Sequence, residues 1–246
     1  MFRINVIAPL TALLAIATGC ADRAADDSGL GKTRGLLPPP ADTLGAPPAD
    51  GALVLLDSNS DLSHWRHESA PKEPLRWSVR DGTLTVVPKS GSIVTKTPVN
   101  DFRLHLEFKI NDATASAGEP DGNSGIYIQR RYELQILDRA AQAKPESRCG
   151  AIYLVKAPDT VDATKPAGEW QCYDLVFRAA RWRDGDKIEN ARLTAHLNGK
   201  LIHDDVPIPG TTGAGRVESP EPGPLKLQDH GNAVAFRNIW MVPLDL

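Results

Sequence analysis

From Phe102 to Asn111 the chain alternates without a break: Phe102, Leu104, Leu106, Phe108 and Ile110 are apolar, and Arg103, His105, Glu107, Lys109 and Asn111 between them are polar. Successive side chains of a strand point to opposite faces, so a period of two held this long fixes a β-strand with one face toward a core. The same alternation recurs over 191–197, where Leu193, Ala195 and Leu197 oppose Arg192, Thr194 and His196. Asn198-Gly199 then supplies a tight hairpin turn into a strand over 200–204, and Asp81-Gly82 marks a second such turn. Shorter strands are expected over 52–56, 76–79, 83–87, 92–95, 124–129, 132–137, 151–154, 173–178, 225–228 and 234–242. With many short strands, frequent Gly and Pro breakers and no convincing amphipathic helix, the chain reads as all-β, an antiparallel two-sheet β-sandwich of the jelly-roll kind. Parallel α/β folds are excluded. The segments 113–122, 140–148 and 210–224 read as long loops, which inside a compact domain are often functional.

The N-terminal fifth is of another character. Arg3 followed by an apolar stretch over 6–17 reads as a signal peptide, too short to span a bilayer as a stable helix. It ends in Ala17-Thr18-Gly19-Cys20, which resembles a bacterial lipobox and makes Cys20 the expected site of lipidation. An ordinary secretory signal is the alternative, and either exports the protein. Residues 21–50 carry no apolar periodicity, and Pro38-Pro39-Pro40 with Pro47-Pro48 predicts a disordered Pro-rich tether. Residues 51–246 suffice for one domain with a sizeable core. The expected location is therefore the cell envelope, lipid-anchored, periplasmic or at the outer membrane, with a membrane contact through the anchor. The net charge of −3 comes without a basic stripe, which argues against nucleic acid as a partner. Of the remaining cysteines, Cys149 and Cys172 either form a disulfide in an oxidising compartment or are two buried free thiols.

Several short motifs stand in a fixed order: Asp121-Gly-Asn-Ser-Gly-Ile-Tyr127, Tyr132-Glu-Leu-Gln-Ile-Leu-Asp138, Gly150-Ala-Ile-Tyr153, Gly168-Glu-Trp170, Leu227-Gln-Asp-His-Gly231 and Phe236-Arg-Asn-Ile-Trp240. Together they resemble the 3-keto-disaccharide hydrolase family, over a stretch running from Leu55 and Trp65 to the C-terminus. The resemblance implies a concanavalin-like jelly roll and cleavage of glycosides already oxidised to a ketone at C3. It also implies an upstream glycoside 3-oxidoreductase, since the domain has no dinucleotide fingerprint with which to make the ketone itself.

Strand parity says what these motifs offer chemically. In 132–138, Tyr132, Leu134 and Ile136 point one way and Glu133 and Gln135 the other; Leu225 and Leu227 share one face, and Lys226, Gln228 and His230 the opposite one if the strand continues that far. Carboxylates, amides and an imidazole suit proton transfer and the recognition of sugar hydroxyls. Glu133 or Asp138 is the expected base and His230 the acid or enolate donor. Asn123, Tyr127, Gln129, Arg131, Gln135, Tyr153, Glu169, Trp170, Gln228 and Asp229 are the candidate substrate-binding residues, although aromatic residues in strands are as often core. No cofactor is expected, and a divalent metal is left open. His64 and His67 beside Trp65, and Asp57 and Asp61 near them, are too sparse to claim a metal site. Two other functions fit the same residues: a conventional retaining glycosidase that uses Glu133 and Asp138 as its carboxylate pair, and a non-catalytic surface carbohydrate-binding module.

Overall fold

The computed structural model describes residues 33, 35–37, 41–59, 61–111, 122–139, 141 and 143–246. The signal peptide and Cys20 lie outside the described residues. In chain order the strands are β1 (Leu53–Leu56), β2 (Trp65–His67), β3 (Ser78–Arg80), β4 (Thr83–Thr85), β5 (Ile93–Thr95), β6 (Phe102–Ile110), β7 (Ser124–Ile128), β8 (Tyr132–Ile136), β9 (Trp170–Arg178), β10 (Arg181–Arg183), β11 (Asp186–Glu189), β12 (Ala191–Leu197), β13 (Lys200–Ile208), β14 (Lys226–Leu227) and β15 (Val234–Pro243). An eight-stranded antiparallel sheet runs β13-β12-β9-β6-β15-β4-β3, with β1 added on β15; a five-stranded sheet runs β2-β5-β14-β7-β8. Among the described residues helix is limited to two single 3₁₀ turns.

The two sheets close on one apolar core. β6 contributes its even-numbered residues to it, and β8 contributes Tyr132, Leu134 and Ile136. Tyr132 packs against Phe177 of β9 at 5.5 Å between ring centroids, and the Tyr173 hydroxyl donates to the carbonyl of Gln135 at 2.7 Å, so both contacts bridge the sheets. Burying such a face stabilises by roughly 25 cal/mol per Å² of apolar surface removed from water, and it fixes register, because a slip of one residue would turn Glu133 inward.

Two expectations need correction, and one left open is decided. The segment 151–154 is no strand: Ile152 makes only isolated bridges, to Leu134 and to Lys156, because Leu154 turns into the left-handed region at φ 59°. Cys149 and Cys172 are free and buried. They face opposite sides of the large sheet: Cys149 approaches the core-side Tyr173 hydroxyl at 3.4 Å, whereas Cys172 meets Thr43 on the outer face. The described part of the stretch read as tether packs on that outer face. Thr33 bonds to Asp205 and Thr194, Thr43 donates to Asp174, the Gly45 N–H reaches Glu107 at 2.6 Å, and Asn238 donates to the carbonyl of Ala46 at 2.9 Å. Proline keeps this segment out of any ladder, but it does not stop an extended chain from satisfying buried polar groups.

Beneath this strap lies a polar cluster. His105 is fully buried, with Nδ1 3.0 Å from Asp174 and Nε2 3.5 Å from Glu107, and its ring stacks on Trp240. Glu107 also receives Arg237 Nε at 2.7 Å and Asn238 Nδ2 at 2.8 Å. Burial opposes ionisation of Glu107, but the bonds from His105, Asn238, Arg237 and Gly45 outweigh it and hold the carboxyl at about 2. Burial likewise pulls His105 down, and its two carboxylate partners reverse the sign to a net rise.

Candidate functional site

The outer face of the five-stranded sheet carries the site. Register places Arg66, Val94, Lys226, Tyr127 and Glu133 in one row across β2, β5, β14, β7 and β8, since each is the pairing partner of the next. In the neighbouring row Gly125 pairs with Gln135, and the Gln228 N–H donates to the Gly125 carbonyl at 3.0 Å. Directly opposed side chains on one face stand about 5 Å apart, so these rows gather a carboxylate, a phenol, an ammonium and two amides into one patch.

Glu133 is at its centre and only 4% exposed. Its Oε2 accepts the Tyr127 hydroxyl at 2.7 Å, and its backbone N–H donates to Thr212 Oγ1 at 2.6 Å. Two glycines make room for the carboxylate. A methyl group built on Gly125 would lie 2.5 Å from Oε1, and one on Gly213, whose φ is +52°, would lie 2.3 Å from Oε2. Glu133 is thus held between a strand below and the loop that follows β13 above. Burial raises its carboxyl to about 7, against the Tyr127 hydrogen bond and the charge of Lys226, which both pull it down. Tyr127 donates to Glu133, and its oxygen accepts from Gln228 Nε2 at 3.4 Å and from the backbone of Ala214. Burial, then Glu133, pushes its phenol well above the ordinary range, so it remains a proton donor.

Lys226 completes the row. Its Nζ lies 4.6 Å from the centroid of the Tyr127 ring and 3.2 Å from Glu68 Oε2, and Glu68 also pairs with Arg130. The amide oxygens Gln135 Oε1 and Gln228 Oε1 are buried and have no hydrogen-bond partner among the described residues. Each is an acceptor that costs free energy unless a ligand donates to it.

The turn from β7 to β8 explains why these groups hold their places. Gln129 and Arg130 both sit in the left-handed region, at φ 53° and 58°, which costs a non-glycine residue about 1 kcal/mol or more. Their side chains tie the turn down. Gln129 Nε2 donates to the Val99 carbonyl at 2.9 Å and its Oε1 accepts from Arg131 at 2.8 Å; Arg131 continues to Ser219 and Glu221; Arg130 reaches Glu68.

The sequence-predicted residues divide accordingly. Glu133, Tyr127, Gln135 and Gln228 come together, and Tyr153 joins them: its N–H donates to the Glu133 carbonyl at 3.0 Å, and its ring borders Gly213. Gln129 and Arg131 are buried and consumed by the turn. Asp229 is consumed too, accepting the Gly91 N–H at 2.8 Å and the Gly231 N–H at 2.9 Å. Asn123 lies at the entry to β7, its N–H held by Asn232. Trp170 opens β9 of the other sheet, where Arg237 stacks 4.0 Å over its ring, and Glu169 lies in the bend just before that strand. Asp138 lies past the end of β8 in a separate cavity of about 660 Å³ lined also by Lys144, Arg148 and Cys149. His230 is exposed beyond the Asp229 turn and takes no part in the described hydrogen bonds of Glu133. Lys226, Glu68 and the loop glycine Gly213 are the members sequence reading missed. Of these only Lys226 carried a signal, its parity with Gln228.

A family model described as the 3-keto-alpha-glucoside-1,2-lyase-like domain matches residues 51–242. The chain belongs to that family. Membership makes it an enzyme, and the Glu133 patch falls within the matched stretch. Among members of known sequence, the 3-keto-disaccharide hydrolase of Bacteroides thetaiotaomicron is 24% identical over 234 residues, covering 80% of each chain. A Parabacteroides distasonis protein provisionally named a glycosyl hydrolase superposes with a TM-score of 0.72 at 34% identity, over 79% of this chain and 84% of that one. A second structure from the same organism, of the same provisional name, gives 0.60 at 21% identity over 80% and 95%, which supports the fold alone.

Proposed function

We propose that this 3-keto-alpha-glucoside-1,2-lyase-like protein cleaves 3-keto-glycosides, 3-keto-disaccharides among them, by removing the C2 proton, expelling the C1 substituent and adding water to the resulting double bond. The reading rests above all on Glu133, a nearly buried carboxyl raised to about 7 and hydrogen-bonded to a phenol. A base poised near neutrality serves proton abstraction beside a carbonyl better than an ordinary carboxylate. The ketone at C3 acidifies the C2 proton; an unoxidised glycoside offers no such route.

Glu133 and Tyr127 can complete the cycle between them. Glu133 takes the proton from C2 while Tyr127 gives its hydroxyl proton to the departing C1 oxygen. Glu133 then returns the proton to Tyr127 through their 2.7 Å bond. Each group ends as it began, and hydration runs the same relay in reverse. This gives Tyr127 the donor role that the sequence assigned to His230. Gln135 and Gln228, each with an unpartnered amide oxygen, would accept from ring hydroxyls and orient the sugar.

The chemistry calls for an oxidising partner upstream, a glycoside 3-oxidoreductase, and the lipobox-like Ala17-Thr18-Gly19-Cys20 supports a location in the cell envelope on a lipid anchor. Incubation with a 3-keto-disaccharide and with its unoxidised parent tests the activity. Turnover of the ketone alone is expected. Equal turnover of both would favour a retaining glycosidase, and binding without turnover of either would leave a carbohydrate-binding module.

A further inference from the structure

Elimination beside a ketone needs more than a base. As the C2 proton leaves, negative charge moves onto the oxygen at C3, and a donor must meet it there. The Glu133–Tyr127 pair cannot fill that place, because both are occupied with the C2 proton and the C1 oxygen.

Of the two cations in the row, Lys226 and not Arg66 stands on the strand next to Tyr127. It pairs across the sheet with Tyr127, which pairs with Glu133, so two strand spacings of about 5 Å each separate the ammonium's strand from the carboxylate's. The ammonium leans over the Tyr127 ring, 4.6 Å from its centroid, and it lowers the Glu133 carboxyl electrostatically while its ion pair is with Glu68. The ammonium acts on the base electrostatically while its ion pair is with Glu68, and C2 and the C3 oxygen of a keto sugar are only two bonds apart. The side chain is also prevented from wandering: Glu68 Oε2 holds Nζ at 3.2 Å and is itself tied to Arg130 at the strained β7–β8 turn. Lys226 and Arg130 together against Glu68 leave one net positive charge beside the place where the enolate would form.

We infer that Lys226 binds the C3 ketone oxygen and stabilises the enolate, and that it is thereby the residue that selects oxidised sugars. Glu68 is its positioning residue. A hydroxyl at C3 develops no charge for Lys226 to stabilise, so the ammonium contributes to the transition state of the keto sugar alone. The inference rests on Glu133 acting as base at C2, and the test separates the two. A 3-keto-1,5-anhydrohexitol has no leaving group at C1, so in D₂O it reports proton exchange at C2 alone. Wild-type protein should exchange this position; failure to exchange it and to cleave 3-keto-disaccharides would overturn the underlying reading. Given wild-type exchange, Lys226→Met should slow it by roughly 10²- to 10³-fold, the usual cost of an oxyanion donor, and Lys226→Arg should recover part of the loss. A Lys226→Met protein that exchanges within threefold of wild type would overturn the inference. Should Lys226→Met fail to fold, the wild type still decides: a 3-deoxy-3-nitro sugar as its nitronate, with anionic oxygens where the enolate oxygen would lie, should bind at least about 100-fold tighter than the neutral 3-deoxy sugar. Equal affinity would exclude a cationic donor at that position.

Discussion

Glu133 and Tyr127 face each other across the β7–β8 hairpin, phenol to carboxylate at 2.7 Å, and neither has appreciable contact with solvent. Their shared proton ties activity and stability to pH in opposite directions. As a base Glu133 must be ionised, so kcat/KM should rise about tenfold per pH unit below pH 7 and level off above it. Stability goes the other way. The folded carboxyl titrates at about 7 and the unfolded one near 4.5, so between these values the folded state holds a proton the unfolded state has lost, and stability falls as pH rises through the window. Glu133→Gln removes that loss. The variant should be inactive yet, above pH 7, more stable than wild type by on the order of 3 kcal/mol in chemical denaturation, with the difference vanishing below pH 4.5. A variant less stable at pH 8 would show that Glu133 is not buried as a strained ion.

Gly125 and Gly213 are expected to be intolerant for reasons of space. Alanine at either would meet a Glu133 carboxylate oxygen at 2.5 or 2.3 Å, and that carboxylate is pinned by Tyr127. Gly125→Ala should depress kcat by about 10²-fold, the scale of a misplaced catalytic group, with a loss of stability of roughly 1–3 kcal/mol from overpacking. Steady-state kinetics beside a thermal melt separates the two effects. Unchanged kcat in Gly125→Ala would mean that Glu133 can move freely and is not preorganised.

The strap over 41–46 is expected to behave as part of the domain. Removing residues 1–46 uncovers His105, Glu107 and Asp174 and deletes the bonds from Thr43, Gly45 and Ala46. A loss of about 2–4 kcal/mol is expected, since several buried polar groups lose their partners together. The stability that Glu107 contributes is present above its unfolded value near 4.5 and is lost as pH falls toward about 2. The truncated protein should therefore lose less stability than the full chain between pH 4.5 and 2. Identical acid-unfolding curves would show that the strap contributes nothing to the cluster.

Alkylation of the unfolded, unreduced protein should find Cys149 and Cys172 both reactive, because one lies on the core side of the large sheet and the other on its outer side. A pair that resists alkylation until a reductant is added would contradict this placement.

The fold was legible because its signals are local. The alternation in β6 and the Asn198-Gly199 hairpin each depend on a period or a turn read over a few residues, and both stand where expected. Short strands were less legible: the hairpin of β10 and β11, with Arg181, Trp182 and Arg183 against 186–189, carries no apolar face to announce it. In the site, parity correctly placed Glu133 with Gln135 and Lys226 with Gln228, since a strand's faces are written in its sequence. It could not tell which neighbours a side chain already satisfies. Gln129, Arg131 and Asp229 sit among the motif residues, yet all three spend their hydrogen bonds on turns, and this depends on Val99, Ser219, Glu221 and Gly91, which are distant in sequence. Asp138 differs again: five residues of extended chain, about 16 Å, are enough to carry it from the Glu133 patch into another cavity.

The most direct test of the account is the fate of deuterium at C2. A 3-keto-disaccharide labelled there and cleaved in ordinary water should slow turnover through a primary isotope effect or give product that has lost the label to solvent, and Glu133→Gln should abolish both. Cleavage with the C2 deuterium fully retained and no isotope effect would contradict elimination and leave direct displacement at C1 as the mechanism.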